Sequence, residues 1–199
     1  MADFTTFSDD ELLRRMREGS ESAFTTLYQR HHRALYRFAY QMSGSSAIAD
    51  EVTQEVFLAL IRQPERFKQE QGPLGAFLHG IARNHVLKAL GRDWRYVSQE
   101  EDESSMQDLV APQRDVLTLL MEGQEREQLR QAMLSLPAVY REALVLCDIE
   151  ELNYDDAAVR IGCPLGTVRS RLHRARALLA SKLEIHRKGA VPKSWSYSR

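Results

Sequence analysis

The stretch Asn153–Leu183, NYDDAAVRIGCPLGTVRSRLHRARALLASKL, restricts the fold of this chain more than any other. Val168, Leu172, Ala175 and Leu179 recur at i, i+4, i+7 and i+11, one apolar stripe of an α-helix that must face a core. At 100° per residue, Ser170, His173 and Arg174 fall on the opposite side, with Thr167 close by and Arg169, Arg171 and Arg176 on the flanks. Hydrogen-bonding side chains at a crest and guanidinium groups on its shoulders suit a helix that reads base edges while gripping phosphates. Asn153 can cap a preceding helix, with Asp156 three residues on in a capping-box position. Gly162 suits the end of that helix, and Cys163-Pro164 marks the junction, because proline is tolerated only in the first turn of a new helix. The pattern predicts a helix-turn-helix. A plain helical hairpin with a solvated basic face would show similar spacing, but the local charge favours an anionic partner. Between Asn153 and Lys188, eight Lys and Arg face three Asp and Glu, a balance of +5 in a chain whose total is −1.

The remaining composition sets bounds. At 199 residues the chain is one domain or two small ones, and a 43% hydrophobic share is enough to build cores. The opening MADFTTFSDDELL carries acids and no long apolar run, and no later stretch has the length of a membrane span. A soluble, cytoplasmic protein without membrane insertion is expected. Two cysteines, Cys147 and Cys163, are too few for a four-thiolate zinc site. They read as a small core residue and a turn residue, with a redox pair as the alternative. No metal site or cofactor is expected.

Helical periodicity is nearly continuous, over about 9–18, 21–43, 46–62, 73–90, 122–134 and 137–148 as well as the final pair. From Asp93 to Glu127, ten acids face three bases, and the centre, SQEEDESSMQDLVAPQ, has little apolar content. That composition describes a flexible tether. The expected fold is all-α: two small helical domains, 1–92 and 122–187, joined by a flexible acidic linker over 93–121, with a basic tail over 188–199.

The first domain presents two further surfaces. In the 46–62 helix, Ile48, Val52, Val56 and Ala59 form an inward stripe, which turns Asp50, Gln54 and Phe57 outward beside Glu51 and Leu58. An outward aromatic among carboxylates and an amide suits docking of another protein, the alternative being a Phe57 packed within its own domain. Thr53 reads as an ordinary helix residue. In the helix opened by Pro73, Leu74, Leu78, Ile81, Ala82 and His85 can face inward, leaving Gly80, Arg83, Asn84, Leu87 and Lys88 outside. Taken alone, that outer face is equally an ordinary solvated surface.

With these segments in place, the chain resembles the extracytoplasmic-function sigma factors of bacterial RNA polymerase. LPAVYREALVLCDIEELNYDDAAVRIGCPLGTVRSRLHRAR is similar to the family's fourth region, and ADEVTQEVFLAL and FLHGIARN to its second. The resemblance spans about Ala23 to Leu183. It implies a promoter-melting domain, a variable linker and a helix-turn-helix domain. It implies that Asp50, Glu51, Gln54 and Phe57 grip the clamp helices of the polymerase's largest subunit, while the C-terminal domain meets the flap of the second-largest. Lys68, Gln69 and Gln71 then belong to a loop that captures a flipped base of the minus-10 element, supported by Arg83, Asn84 and Lys88. Thr167, Arg169, Ser170, Arg171, His173, Arg174 and Arg176 belong to the minus-35 contact. The implied partners are core RNA polymerase, promoter DNA and an anti-sigma factor.

Two positions depart from the family pattern. Phe77 stands where Trp is frequent, keeping a ring but no indole N–H, and His173 stands where a larger apolar or aromatic residue is usual. Two other functions fit these residues less well. A ligand-sensing helix-turn-helix regulator leaves the Asp50/Gln54/Phe57 patch unexplained. An enzyme lacks support, since no nucleophile elbow, phosphate loop or metal-ligand spacing is present, and His31-His32 reads as a polar pair on a helix.

Overall fold

The computed structural model describes residues 6–91 and 123–189, and the described elements are all helical. The expected linker and most of the expected tail lie outside the described residues. Four helices form the first half: α1 (Asp9–Arg17), α2 (Glu21–Ser43), α3 (Ser46–Arg62) and α4 (Leu74–Ala89). Between α3 and α4 run two short 3₁₀ turns, Pro64–Arg66 and Gln69–Gln71. The second half comprises α5 (Gly123–Leu134), α6 (Ala138–Leu144), α7 (Tyr154–Ile161) and α8 (Leu165–Gly189).

The boundaries follow from local chemistry. Ser8, Ser20 and Ser45 each accept a hydrogen bond from the backbone N–H three residues on, capping α1, α2 and α3. Asn153 does the same for Asp156 at 2.8 Å, so the expected N-cap forms; the Asp156 carboxylate answers to the Asn153 side-chain amide at 2.9 Å, not to the backbone N–H that a capping box would use. Gly44 and Gly162 end α2 and α7 at φ of 72° and 74°, where a Cβ is disfavoured. Gly44 carries a second constraint: a Cβ there would sit 2.5 Å from Leu134 Cδ1 of α5.

After α6 the backbone widens into a π-helical turn, Val145–Ile149, closed by Glu150 N–H to the Val145 carbonyl at 2.9 Å. Periodicity extended an ordinary helix to 148. The wider turn instead swings Asp148 toward α8 and Glu150 toward α2 and α7.

The two halves share one continuous set of buried side chains, from Leu12 and Phe38 through Leu78 and Val86 to Leu146 and Leu172. The two expected helical domains are docked against each other in the structure. Helix α4 packs on α7, and α2 reaches α5, α6 and the π turn. Arg141, 7% exposed, donates to the carbonyls of Met133 at 3.1 Å and Leu136 at 2.9 Å, and also to those of Leu134 and Met42. Met42 lies in the last turn of α2, so this one guanidinium joins the halves.

His79 of α4 is 2% exposed and packs on the Phe38 ring at a centroid distance of 4.1 Å. Burial, with Arg160 and Arg83 nearby, lowers its pKa from 6.5 to about 3. The unfolded chain therefore takes up a proton below pH 6.5 that the folded chain refuses until about pH 3. Stability from this group is full above 6.5 and lost as pH falls. Between pH 7 and pH 5 the loss should be about 2 kcal/mol. Urea unfolding at the two pH values should show that difference shrinking in His79→Leu; an identical pH dependence would refute the assignment.

Candidate DNA and polymerase interface

Helix α8 has the predicted polarity. Val168, Leu172, Ala175 and Leu179 are buried, while Arg169, Ser170, His173, Arg174 and Arg176 are exposed and Thr167 is half-buried. The Ser170 hydroxyl donates back to the Thr167 carbonyl at 3.0 Å. The Arg169 guanidinium lies 5.7 Å from the Tyr154 ring centroid, a cation–π contact from the preceding helix, and Arg174 approaches the Tyr140 hydroxyl at 3.4 Å.

Two of the flanking arginines are placed differently from the expectation. Arg171 is only 9% exposed and turns inward, where its charge acts on the buried Glu142 carboxylate, so it is not a shoulder cation here. Arg176 is exposed but forms a two-pronged ion pair with Asp148, Nε–Oδ2 at 3.0 Å and Nη2–Oδ1 at 2.6 Å. A phosphate would have to compete with that carboxylate. The helical wheel placed Arg171 on the flank correctly, but α6 rises beside that flank and covers it.

The loop before α4 exposes Lys68, Gln69 and Gln71. It is braced from α1: Gln69 donates to Asp10 at 2.7 Å, and Arg17 donates to the Pro64 carbonyl at 2.5 Å. Beneath it, Phe67 meets Phe77 edge-on with centroids 5.6 Å apart, so Phe77 supplies packing without an indole N–H. Asn84 and Lys88 are exposed as expected, but Leu87 is buried at 2%, since α4 is covered on a broader face than its pattern implied. Arg83 is half-buried, and its Nε lies 2.5 Å from Glu142 Oε1 of α6.

On α3, Asp50, Glu51 and Gln54 are exposed, but Phe57 is not. It is 3% exposed, with its ring 4.7 Å from Tyr28 and 6.2 Å, edge-on, from Phe24. The expected outward aromatic is corrected to an inward one because α2 crosses that side of α3. Thr53, also buried, donates to the Ala49 carbonyl at 2.7 Å. The exposed aromatic beside this face is Tyr28, at 39%. A signal for it was present: Phe24, Tyr28, His32, Tyr36 and Tyr40 recur every fourth residue along α2. His31 hydrogen-bonds Asp9 at 2.7 Å.

Sequence reasoning also missed Glu142 and Glu150. Glu142 is 0% exposed, and burial raises its pKa against the pull of Arg83 and Arg171. Glu150 is likewise raised by burial, facing Arg37 at 3.9 Å and Arg160 at 3.7 Å. No disulfide joins Cys147 and Cys163, and burial beside Asp148 pushes the Cys147 thiol up to about 11, away from reactive thiolate character. Among the described residues no group of three His, Cys, Asp or Glu side chains is placed to hold a metal ion, and no helix is long and apolar enough to cross a membrane.

The two halves match two family models, Sigma-70 region 2 over residues 27–96 and Sigma-70 region 4 over residues 126–179. The ECF RNA polymerase sigma factor SigM of Mycobacterium tuberculosis is 32% identical over 177 residues, covering 88% of this chain and 85% of the relative. This chain belongs to the extracytoplasmic-function sigma factors. The ECF sigma factor SigE of Mycolicibacterium smegmatis is 33% identical over 160 residues, which are 80% of this chain and 61% of that relative. The ECF sigma-E factor of Haemophilus influenzae is 30% identical over 183 residues, 89% of this chain and 96% of the relative. In fold, this sigma factor is similar to CnrH, solved in complex with the cytosolic domain of CnrY, with TM-score 0.62, 24% identity and coverage of 89% and 97% of the two chains. It is also similar to RpoE of Bartonella quintana, solved with the anti-sigma factor NepR, with TM-score 0.56, 24% identity and coverage of 81% and 97%.

Burial changes what substitutions in the α3 patch test. Phe57→Ala should cost about 3–5 kcal/mol of stability by leaving a cavity under Tyr28. Gln54→Ala, on the exposed face, should leave the urea midpoint nearly unchanged while weakening retention by core polymerase. An unaltered midpoint for Phe57→Ala would return the ring to the surface.

Proposed function

We propose that this sigma factor binds core RNA polymerase, directs it to promoters with minus-35 and minus-10 elements, and promotes strand opening without a covalent step of its own. The observation that carries this reading is the polarity of α8: a helix with one face sunk in the core and Arg169, Ser170, His173 and Arg174 displayed on the other. Those side chains match what base edges and phosphates offer in a major groove. The exposed Lys68, Gln69 and Gln71, with Asn84 and Lys88 on α4, form a second polar surface suited to an opened strand. Extruding a base costs a few kcal/mol, which pocket hydrogen bonds and stacking offset, so such a surface favours melted DNA over duplex.

Core polymerase is assigned to the face of Asp50, Glu51 and Gln54, with Tyr28 in place of Phe57 as its accessible ring, and the polymerase flap to the second half. Control by an anti-sigma factor is proposed from the complex in which RpoE was solved with NepR, and a stress or envelope response from the family resemblance alone. A subunit of RNA polymerase works on chromosomal DNA, so its place of action is the cytoplasm.

Core polymerase supplied with this chain and a randomised promoter library should initiate at a defined subset of sequences; failure to initiate from any member would sink the proposal. Within that assay, Arg174→Ala should lose about 1–3 kcal/mol of discrimination at one minus-35 position. A uniform loss across all sequences would make Arg174 a phosphate contact instead.

A further inference from the structure

We propose that α1 belongs to the minus-10 reading site: its Asp10 carboxylate orients the Gln69 amide, which makes Asp10 a positioning residue for base choice although it meets no DNA itself. The inference rests on the reading of loop 68–71 as a strand contact. Helix α1 precedes the Sigma-70 region 2 match, which begins at residue 27, so that match gives this helix no task.

Two adjacent acids at the start of α1 serve different elements. Asp9 faces α2, with Arg30 Nη1 at 2.8 Å on one oxygen and His31 Nε2 at 2.7 Å from the other. One residue on, about 100° further round the helix, Asp10 accepts from Gln69 Nε2 at 2.7 Å. Leu12 and Leu13 are buried at 0% and 2%, and α1 packs on α2. At the other end of α1, Arg17 donates to the Pro64 carbonyl at 2.5 Å and the Phe67 carbonyl at 3.5 Å. The helix is therefore fastened to α2 by Asp9 and its apolar face, and it reaches the loop at both ends. Arg17 holds main chain, whereas Asp10 holds a side chain.

The chemistry of that second contact fixes a direction. A carboxylate only accepts, so the Gln69 amide must turn its nitrogen toward Asp10. The loop's own bonds, Gln71 N–H to the Lys68 carbonyl at 3.0 Å and Gly72 N–H to the Gln69 carbonyl at 3.1 Å, shape the backbone and leave the amide unconstrained. A glutamine free to rotate offers its donor and acceptor in either order, and so matches base edges of either polarity. Held by Asp10, Gln69 remains exposed with its carbonyl oxygen and its second N–H in one fixed order. One order suits some base edges and leaves others unpaired, which is the physical basis of discrimination.

The experiment uses the full chain assembled with core polymerase, and reads initiation across a library randomised at both promoter elements. Gln69→Ala should flatten base preference at one minus-10 position, which identifies the position that Gln69 reads. Asp10→Asn keeps the shape but can meet Gln69 with either end of its own amide. It should reduce discrimination at that same position about fivefold, roughly 1 kcal/mol, and leave minus-35 preference and the thermal midpoint unchanged. In the Gln69→Ala background Asp10→Asn should change nothing further, since an orienting bond has no effect once the oriented group is gone. Arg17→Gln should instead lower initiation from all sequences while keeping the order of bases at that position. Wild-type preference in Asp10→Asn at the position flattened by Gln69→Ala would overturn the proposal and leave the strand reading of the loop standing. Wild-type preference in Gln69→Ala at every minus-10 position would remove both. A loss in Asp10→Asn spread evenly over the two elements, with a lowered thermal midpoint, would also overturn it, by reducing Asp10 to a fold contact.

Discussion

The organisation of this sigma factor depends on Arg141, a buried cation with no acid among the described residues as its direct partner. Its guanidinium is satisfied instead by carbonyls at the ends of two helices, Leu134 of α5 and Met42 of α2, together with Met133 and Leu136. Helix C-termini carry partial negative charge and unpaired carbonyls, so a single fork-shaped donor completes both ends at once. Burial lowers the pKa of the guanidinium, but an arginine retains its proton under ordinary conditions and the site holds its charge. Gly44 lies at the same meeting point, where a Cβ would displace the side-chain tips of Leu134 and Arg130 of α5.

Around that junction the two surfaces proposed to meet DNA are treated differently. The crest of α8 points away from the docked half, with one of its arginines supported by Tyr154 and another near Tyr140. The α4 surface is partly occupied by the chain itself, through Arg83 and Glu142. Charge that composition would assign to DNA is partly spent internally: Arg171 on Glu142, Arg176 on Asp148, Arg160 on Glu150. The local excess of +5 overstates the charge offered to a ligand, and the exposed cations of α8 describe it better.

Helix boundaries were largely legible because their signals are local. Serine caps, the Asn153–Asp156 pair, Gly44, Gly162 and the prolines act within a few residues of themselves, so no distant contact can change their meaning. The stripe of α8 was legible for a related reason: four apolar residues at helical spacing can face only one way. Phe57, Leu87 and Arg171 were misplaced because a helical wheel shows the angle of a side chain but not how many neighbours surround the helix. Helix α3 is covered over a wider arc than its aliphatic stripe, α4 is enclosed by α7 as well as its own half, and α6 stands over the flank of α8. The π turn was invisible for another reason, since widening by one residue leaves the apolar pattern almost intact while redirecting Asp148 and Glu150.

An all-helical chain, the position of its helix-turn-helix and its family are written in local capping, periodicity and motif spacing, which are properties of neighbouring residues. Which charges face outward and which are paired inside is settled by the packing of distant helices. It also decided that the halves dock and that Phe57 lies under Tyr28 rather than in solvent. Those outcomes depend on residues brought together from far along the chain, Arg83 with Glu142 and Met42 with Arg141 among them. Their partners are selected by packing and desolvation across an interface, which no local pattern encodes.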